Sequence, residues 1–408
     1  MKILHFLGIG RLPKQPMVEA SGGTERVALE VARIQSGRGH DVTVASKGED
    51  DWEGAWEGVR LLHLKPYAWA RAVSLGKIAG SSLPLAKLVH LRRFDIVHLH
   101  EYPNTRLLGS YAKVMHFHNE PLGGSTTSEF AEAAPAYWAL VGKSSAQVAV
   151  SEFVAGRLRS ARELAGADSP PANIFKVSNG VNSKGIRARL LNDIRRNTRQ
   201  KLALTDTDVL FLFVGAIRPE KGVDYLARAF ARLSAENPNA CLAVAGGGKL
   251  WIEKGWLNDK AVDTAERQLV NILSPAIERK RAFILGIVPP SEIMAYYAAG
   301  DVLVVPTMAQ EAFGLTILEA FTMGLPVVAF RSGGVPELVE DRKNGIIVDQ
   351  GDEEALYLGM RELMRDRDLR TRLGAAAANV PARYSWENTA NGLDLVYRSV
   401  IERQNSLS

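Results

Sequence analysis

Short apolar runs of strand length recur along the chain, separated by segments whose apolar positions fall at helical spacing. The first series reads KILHFLG, a helix over 24–35, then DVTVAS, VRLLHL, FDIVHLH, KVMHFHN and QVAVS. Compact β-rich runs bounded by turn residues and alternating with amphipathic stretches predict βαβ units and a parallel, doubly wound sheet. The pattern restarts after an Arg-rich polar segment near residue 190: VLFLFVG, a helix over 223–234, ACLAVAG, RAFILG, a helix over 290–299, DVLVVP, a helix over 315–323, LPVVAF and IIVD. Two α/β sheets of one kind are therefore expected in tandem, joined between residues 179 and 201. The closing run SWENTANGLDLVYRSVIERQ keeps helical spacing and predicts a long last helix with Ser385 as its N-cap. The stretch 249–280, charged and carrying two Trp, lengthens one connection beyond the few residues usual in such folds.

Length agrees with this division, since 408 residues exceed what one ordinary core accommodates. The single cysteine, Cys241, sits in the apolar run ACLAVAG, which excludes an internal disulfide framework and fits a reducing, cytoplasmic setting. Residues 1–10 read as a first strand rather than a signal peptide, and no apolar stretch approaches the ~18 residues a membrane-spanning helix needs. Net charge is +5, with basic concentrations at 92–93 and 187–201. The latter reads as a solvated helix face, with peripheral contact to an anionic membrane as the second reading. The run AVSLGKIAGSSLPLAKLVHLRR offers a basic amphipathic membrane-surface helix, although Gly76, Gly80 and Pro84 weaken any continuous helix there. Basic residues without interleaved aromatics do not point to nucleic acid.

The most informative chemistry is the pair Glu311 and Glu319, eight apart across a strand-to-helix turn. Open α/β sheets bind ligands beyond the carboxyl ends of their strands, and Gly314 at the helix start lets backbone N–H groups approach an anion. The pair reads as a grip on a nucleoside diphosphate sugar, Glu319 accepting from ribose hydroxyls and Glu311 from a sugar hydroxyl. In FVGAIRPEKG, Arg218 and Lys221 stand just before the next helix as a cationic clamp for phosphate, and Gly22–Gly23 precede an amphipathic helix whose N-terminus suits phosphate or sugar. GIGRLP at Gly8 and Gly10 lacks the third glycine and the helix of a dinucleotide fingerprint, which argues against NAD. His98, His100, His116 and His118 form two H-x-H pairs at strand ends. Each pair shares a face that suits metal chelation, but no further ligands follow at metal-site spacing, so packing with at most one chemically active histidine per pair is expected and no metal is assigned. The strings Asp206–Asp208 and Asp366–Asp368 read as turn and surface features.

Taken in order, SGGTER, FDIVHLH, MHFHN, VAVSEFV, VSNGV, FVGAIRPEKG, AGGG, ILGIVPPSEI, QEAFGLTILEA, GLPVVAFRSGGVPELV and YSWENTA resemble the family-4 retaining glycosyltransferases of GT-B fold, over nearly the whole chain. That resemblance implies two Rossmann-like domains facing a cleft: an acceptor domain over 1–185, a donor domain over 186–385, and a helix over 386–408 crossing back to the first. It implies that Arg218 and Lys221 neutralise the diphosphate, that Gly314 and Leu315 offer backbone N–H groups with Phe313 and Thr316 beside them, that Glu319 takes the ribose and that Glu311 takes the donor sugar. It also places Gly23 against the phosphates and acceptor, His118 near the reacting sugar, the Ile287–Val288 backbone by the base, and Gly215 and Gly246 among the donor-binding turns. The stretches 66–93 and 123–143 would frame the acceptor. No cofactor beyond the sugar nucleotide is implied. One departure stands out: the family carries Arg directly after the glycine of its phosphate loop, whereas this chain has Ala216 there and Arg218 two residues later. An epimerase or phosphorylase of the same architecture and a non-catalytic sugar-nucleotide binder are the alternatives.

Overall fold

The structure is a computed structural model and describes residues 1–8, 11–16, 19, 22–65, 76–101, 108–122, 127–166, 168, 173–182, 188–248 and 259–407. The chain divides into two compact units, residues 1–180 with 386–408, and residues 181–385.

In the first unit an eight-stranded sheet runs in the order β3-β4-β2-β1-β5-β6-β7-β8. Its strands are β1 (Lys2–Leu7), β2 (Asp41–Lys47), β3 (Trp52–Trp56), β4 (Val59–Leu64), β5 (Ile96–His100), β6 (Lys113–Phe117), β7 (Ala146–Ala149) and β8 (Ile174–Lys176). All neighbours pair in parallel except β3 with β4. The central strands are buried on both faces, which is why they read as unbroken apolar runs. Strands β3 and β8 were not foreseen. The first alternates half-buried and exposed residues at the sheet edge, turning back through Glu57 and Gly58, both left-handed at φ 49° and 79°. The second is three residues long and leaves Lys176 exposed, too short to register as a periodic run.

The helices of this unit are α1 (Gly23–Gly37), α2 (Gly76–Arg92), α3 (Thr127–Val141), α4 (Glu152–Leu164) and, returning from the end of the chain, a helix over Trp386–Leu407. Helix α2 runs without a break through Pro84, contrary to the expectation from its glycines and proline. Burial of Leu85 and Val89, 1% and 0% exposed, outweighs the local helix-breaking tendency. The returning helix packs on α1 and is pinned there by an ion pair between Arg38 and Asp394, 2.7 Å.

In the second unit six strands, all parallel, run in the order β11-β10-β9-β12-β13-β14. They are β9 (Val209–Val214), β10 (Ala240–Ala245), β11 (Ala282–Gly286), β12 (Val302–Val305), β13 (Val327–Phe330) and β14 (Gly345–Val348). The helices are α5 (Ala188–Lys201), α6 (Val223–Glu236), α7 (Asp259–Glu278), α8 (Pro290–Ala299), α9 (Leu315–Thr322), α10 (Val335–Leu338), α11 (Glu353–Arg365) and α12 (Arg367–Ala377), which makes the returning helix α13. Residues 249–258 of the long connection, both tryptophans included, lie outside the described residues, as do 66–75 and 123–126 of the stretches expected to frame an acceptor.

The basic run on α5 is not simply a solvated face. Arg195 and Arg199 both pair with Asp301, at 2.6 and 3.0 Å. Both also donate to the end carbonyls of α8. Guanidinium groups thus satisfy the acceptors that a helix C-terminus leaves over, and Arg199 is buried doing so. Asp208 behaves as a turn residue, accepting from Thr205 and pairing with Arg281, while Asp366 caps α12. Cys241 is buried in β10.

Candidate functional site

In the second unit the strand order reverses beside β9: β10 lies on one side and β12 on the other. Such switch points open a crevice at the carboxyl edge of a parallel sheet. The loops after β9 and β12 meet there. A 3₁₀ turn, Pro219–Lys221, ends at Gly222, whose φ is 66°. A Cβ on Gly222 would lie 1.8 Å from the carbonyl oxygen of Pro306, so only glycine lets the two loops touch. The Glu220 carbonyl accepts from the N–H groups of Met308 and Ala309, at 2.9 and 3.0 Å.

This arrangement sets Lys221 Nζ 2.8 Å from Glu311 Oε2. The Lys221 charge, with N–H groups of Phe313 and Gly314 after it, holds the Glu311 carboxyl below its ordinary range despite burial. A third loop, after β13, clamps Glu311 from behind. Ser332 accepts from the Glu311 N–H and donates to the Ala309 carbonyl, and Gly334 N–H donates to the Glu311 carbonyl at 2.7 Å. A Cβ on Gly333, itself left-handed at φ 49°, would stand 2.2 Å from that carbonyl oxygen.

Gly314 is the N-cap of helix α9, so the N–H groups of Leu315 and Thr316 belong to its first turn, where helices leave donors unsatisfied and carry partial positive charge. Glu319, one turn further, is 5% exposed and accepts from the Tyr297 hydroxyl at 2.7 Å. Phe313 is buried and packs edge-on against Tyr384. Gly215, Gly246 and Ile287–Val288 lie at the carboxyl ends of β9, β10 and β11, where Gly246 approaches the Gly215 carbonyl so closely that a Cβ would fall 1.8 Å from it. The two cations expected to act together have different carboxylates: Lys221 pairs with Glu311, and Arg218 with Glu220 at 3.0 Å.

In the first unit, Gly23 is the first residue of α1, with Gly22 as an N-cap that contributes no side chain. Gly10 lies outside the described residues. His118 immediately follows β6 and belongs to a larger group than the two expected pairs. His5 of β1 stands in register with His98 of β5, and His5, His98, His100, His116 and His118 crowd one face of the sheet. All but His118 are fully buried. Ring nitrogens lie 3.0 Å apart between His5 and His100, 2.8 Å between His100 and His118 and 3.1 Å between His98 and His116. Burial pulls the imidazole of His5 down to about 4 and that of His118 to about 3, with the others also well below the ordinary range. Two triplets, His5 with His98 and His100, and His100 with His116 and His118, bring ring nitrogens within 4.8 Å, close enough to share a metal ion. Both nitrogens of His5, His98 and His100 are engaged in hydrogen bonds within the protein. Glu101 accepts from the backbone N–H groups of His118 and Asn119, at 2.5 and 2.7 Å, and burial raises its carboxyl to about 7.

Behind the histidines stand residues not expected from the chain: Gln35 Oε1 lies 2.8 Å from His5 Nε2, Asp394 accepts from Gln35 Nε2 at 3.2 Å, and the Tyr397 hydroxyl lies 2.5 Å from His98 Nδ1; His5 itself and Glu101 were not expected either. Only His5 carried a signal, an isolated polar residue within an otherwise buried strand.

Two family models match the chain: "Glycosyltransferase Family 4" over residues 21–184 and "Glycosyl transferases group 1" over residues 194–380. The chain belongs to the family-4 glycosyltransferases of GT-B fold. Among curated family relatives, a glycosyltransferase of Methanocaldococcus jannaschii is 26% identical over 378 residues, 89% of this chain and 91% of the relative. A D-inositol 3-phosphate glycosyltransferase of Thermobispora bispora is 32% identical over 62% of this chain, and the match spans about half of that relative, 56% of its length. Among solved structures, sucrose-phosphate synthase of Thermosynechococcus elongatus superposes with a TM-score of 0.76 at 18% identity, covering 99% of this chain and 100% of the other. The Anabaena protein HepE in complex with UDP-glucose gives 0.72 at 19% identity, with both chains fully covered. Among the described residues of this glycosyltransferase, no helix is long and apolar enough to cross a membrane.

Proposed function

We propose that this glycosyltransferase moves a sugar from a nucleoside diphosphate sugar to an acceptor hydroxyl with retention of anomeric configuration, without a resident metal. The observation that carries the reading is the Lys221–Glu311 pair held by three interlocked loops at the start of α9. A lysine and a helix N-terminus converge where a departing diphosphate accumulates negative charge, and fixed positive groups of this kind stabilise a leaving group without reorganising. Glu311, kept ionised, accepts from donor-sugar hydroxyls, and the inward carboxylate of Glu319 accepts from ribose hydroxyls. The Ile287–Val288 backbone meets the base. Arg218, tied to Glu220, acts as an auxiliary cation rather than a direct replacement for the missing arginine at Ala216.

In this reading the C-terminal unit binds the donor, and the N-terminal unit binds the acceptor and presents Gly23 and His118. The bond from the anomeric carbon to the diphosphate oxygen breaks towards an oxocarbenium-like sugar. The acceptor hydroxyl attacks on the same face and passes its proton to the departing phosphate. HepE was solved with UDP and with UDP-glucose, which makes uridine nucleotides the first donors to try.

The test is incubation with UDP-, GDP- and ADP-sugars, with and without candidate acceptors and with a chelator. Acceptor-dependent release of nucleoside diphosphate, a product of unchanged anomeric configuration and indifference to chelation are expected. An inverted product or loss of turnover with chelator sinks the mechanism. A changed sugar without transfer makes the protein an epimerase, and binding without turnover a sugar-nucleotide binder.

A further inference from the structure

The histidines of the N-terminal unit are linked in a fixed direction. Asp394 of α13 accepts from Arg38 at 2.7 Å and from the side-chain amide nitrogen of Gln35 at 3.2 Å. That contact fixes which way the Gln35 amide faces, because a carboxylate takes only donors. The Gln35 carbonyl oxygen therefore points to His5 Nε2, 2.8 Å away. A carbonyl only accepts, so His5 carries its hydrogen on Nε2 and its Nδ1 is bare.

The remaining assignments follow by counting hydrogens. Each imidazole here is neutral, because burial lowers its basicity, and so carries one hydrogen. Bare Nδ1 of His5 must accept from His100 Nε2–H, 3.0 Å away, which leaves His100 Nδ1 bare. That nitrogen in turn accepts from His118 Nε2–H, at 2.8 Å. His118 ends the chain with a lone pair on Nδ1, which is buried and has no hydrogen-bond partner among the described residues. The ring planes of His100 and His118 lie within 13° of parallel with centroids 5.1 Å apart, the edge-to-edge arrangement an in-plane N–H···N bond needs.

We propose that Asp394, Gln35, His5 and His100 are positioning residues that fix His118 in one tautomer, hydrogen on Nε2 and lone pair on Nδ1, so that His118 accepts a hydrogen bond from a hydroxyl of the sugar being transferred. The second half rests on the reading of His118 given under the proposed function; the tautomer itself does not. No proton moves along the chain. Each donor–acceptor link polarises the next, which makes Nδ1 a better acceptor than an isolated imidazole. A hydroxyl donating to that nitrogen gains electron density at its oxygen and stabilises positive charge developing on its ring. Helix α13, contributed by the last residues of the chain, thereby reaches the reacting sugar through Asp394.

The test is long-range proton–nitrogen correlation spectroscopy of protein labelled with ¹⁵N-histidine, assigned with a His118→Asn variant. Wild-type His118 is expected to show a protonated Nε2 and a bare Nδ1 at pH 7.5. Gln35→Met, which removes the contacts to His5 and Asp394, is expected to mix the tautomers and lower kcat by about tenfold or more at nearly unchanged donor KM. The double variant Gln35→Glu with Asp394→Asn keeps every link in the same direction, since Glu accepts from His5 and Asn donates to Glu, and is expected to restore both spectrum and kcat.

A wild-type His118 protonated on Nδ1, or an unchanged tautomer in Gln35→Met, overturns the relay, and the wild-type spectrum decides even if that variant does not fold. The stated tautomer combined with a His118 Nδ1 shift indifferent to bound donor and acceptor, in an enzyme that still transfers sugar, overturns the contact with sugar while leaving the relay and the wider functional reading standing. Failure of that reading shows instead as no transfer with any sugar nucleotide.

Discussion

Lys221 Nζ and Glu311 Oε2 lie 2.8 Å apart in one unit although ninety positions separate them in the chain, |i−j| = 90. The lysine side chain is 39% exposed, so solvent screens the pair and its net contribution to stability is modest, at most about 1 kcal/mol. Its consequence is placement: the pair fixes the cation beside Glu311, three residues before the N-cap of α9, where the proposed reading puts the departing diphosphate. Lys221→Met is expected to lower kcat/KM roughly 10²-fold while the melting temperature barely moves. Arg218→Ala, which removes the cation tied to Glu220, is expected to cost less than about tenfold. Steady-state kinetics of the two variants check this, and an equal or larger loss at Arg218 would restore it as the principal clamp.

Gly333 is a sharper probe of the loop geometry. An alanine there must adopt φ 49° and push its Cβ against the backbone of Glu311, which cannot swing away as a side chain can. On the proposed role of Glu311, Gly333→Ala is expected to lower kcat more than tenfold, an order-of-magnitude figure for displacing a carboxylate that holds the donor sugar by about 1 Å. Gly351 serves as the control. Its φ is 84°, but a Cβ would meet only ordinary contacts at 3.6 Å and beyond, so Gly351→Ala costs about 1 kcal/mol of stability and spares activity.

The buried histidines make the N-terminal unit acid-sensitive. Their folded-state pKa values lie below the unfolded value of 6.5, to about 4 for His5, so the unfolded chain binds more protons in that interval. Stability is therefore intact above about pH 6.5 and falls as pH drops towards about 4, with each unit of lowering worth about 1.4 kcal/mol per histidine. Urea unfolding at pH 7.5 and pH 5.0, followed by a probe in this unit, is expected to show a clear drop in midpoint. Equal midpoints at the two pH values would contradict neutral, buried imidazoles.

Arg199 tests the corrected reading of the basic helix. Its side chain is 8% exposed and its partner Asp301 is 18% exposed, so Arg199→Ala leaves a largely buried carboxylate with Arg195 alone. A loss of about 3 kcal/mol is expected in denaturant unfolding of the second unit. Arg196, 66% exposed and paired with Asp193, is expected to tolerate the same change within about 0.5 kcal/mol.

The two sheets and the six strands of the second unit were legible in the chain itself, and so was the position of Lys221, Glu311, Gly314 and Glu319 at a strand-to-helix edge, their roles there being the proposal made above. Strand runs buried on both faces and glycines at loop apices are local consequences of burial and of backbone freedom, and both are written in residue order. Hidden from the sequence were the edges and the partners. Strand β3 alternates in a run too polar to stand out, Pro84 is carried through a helix because its neighbours are buried, and a basic run that looks solvated turns two arginines inward onto Asp301.

By itself the sequence determined the kind of fold and the residue types proposed above to meet phosphate and sugar, because hydrophobic period and turn chemistry act over a few neighbouring positions. Only the tertiary structure decided that Lys221 answers Glu311 while Arg218 answers Glu220, and that Asp394 and Gln35 stand behind His5, His100 and His118. Pairing of charges and the direction of a hydrogen-bond chain depend on distances of about 3 Å between atoms far apart in the chain, and no pattern in one dimension specifies them.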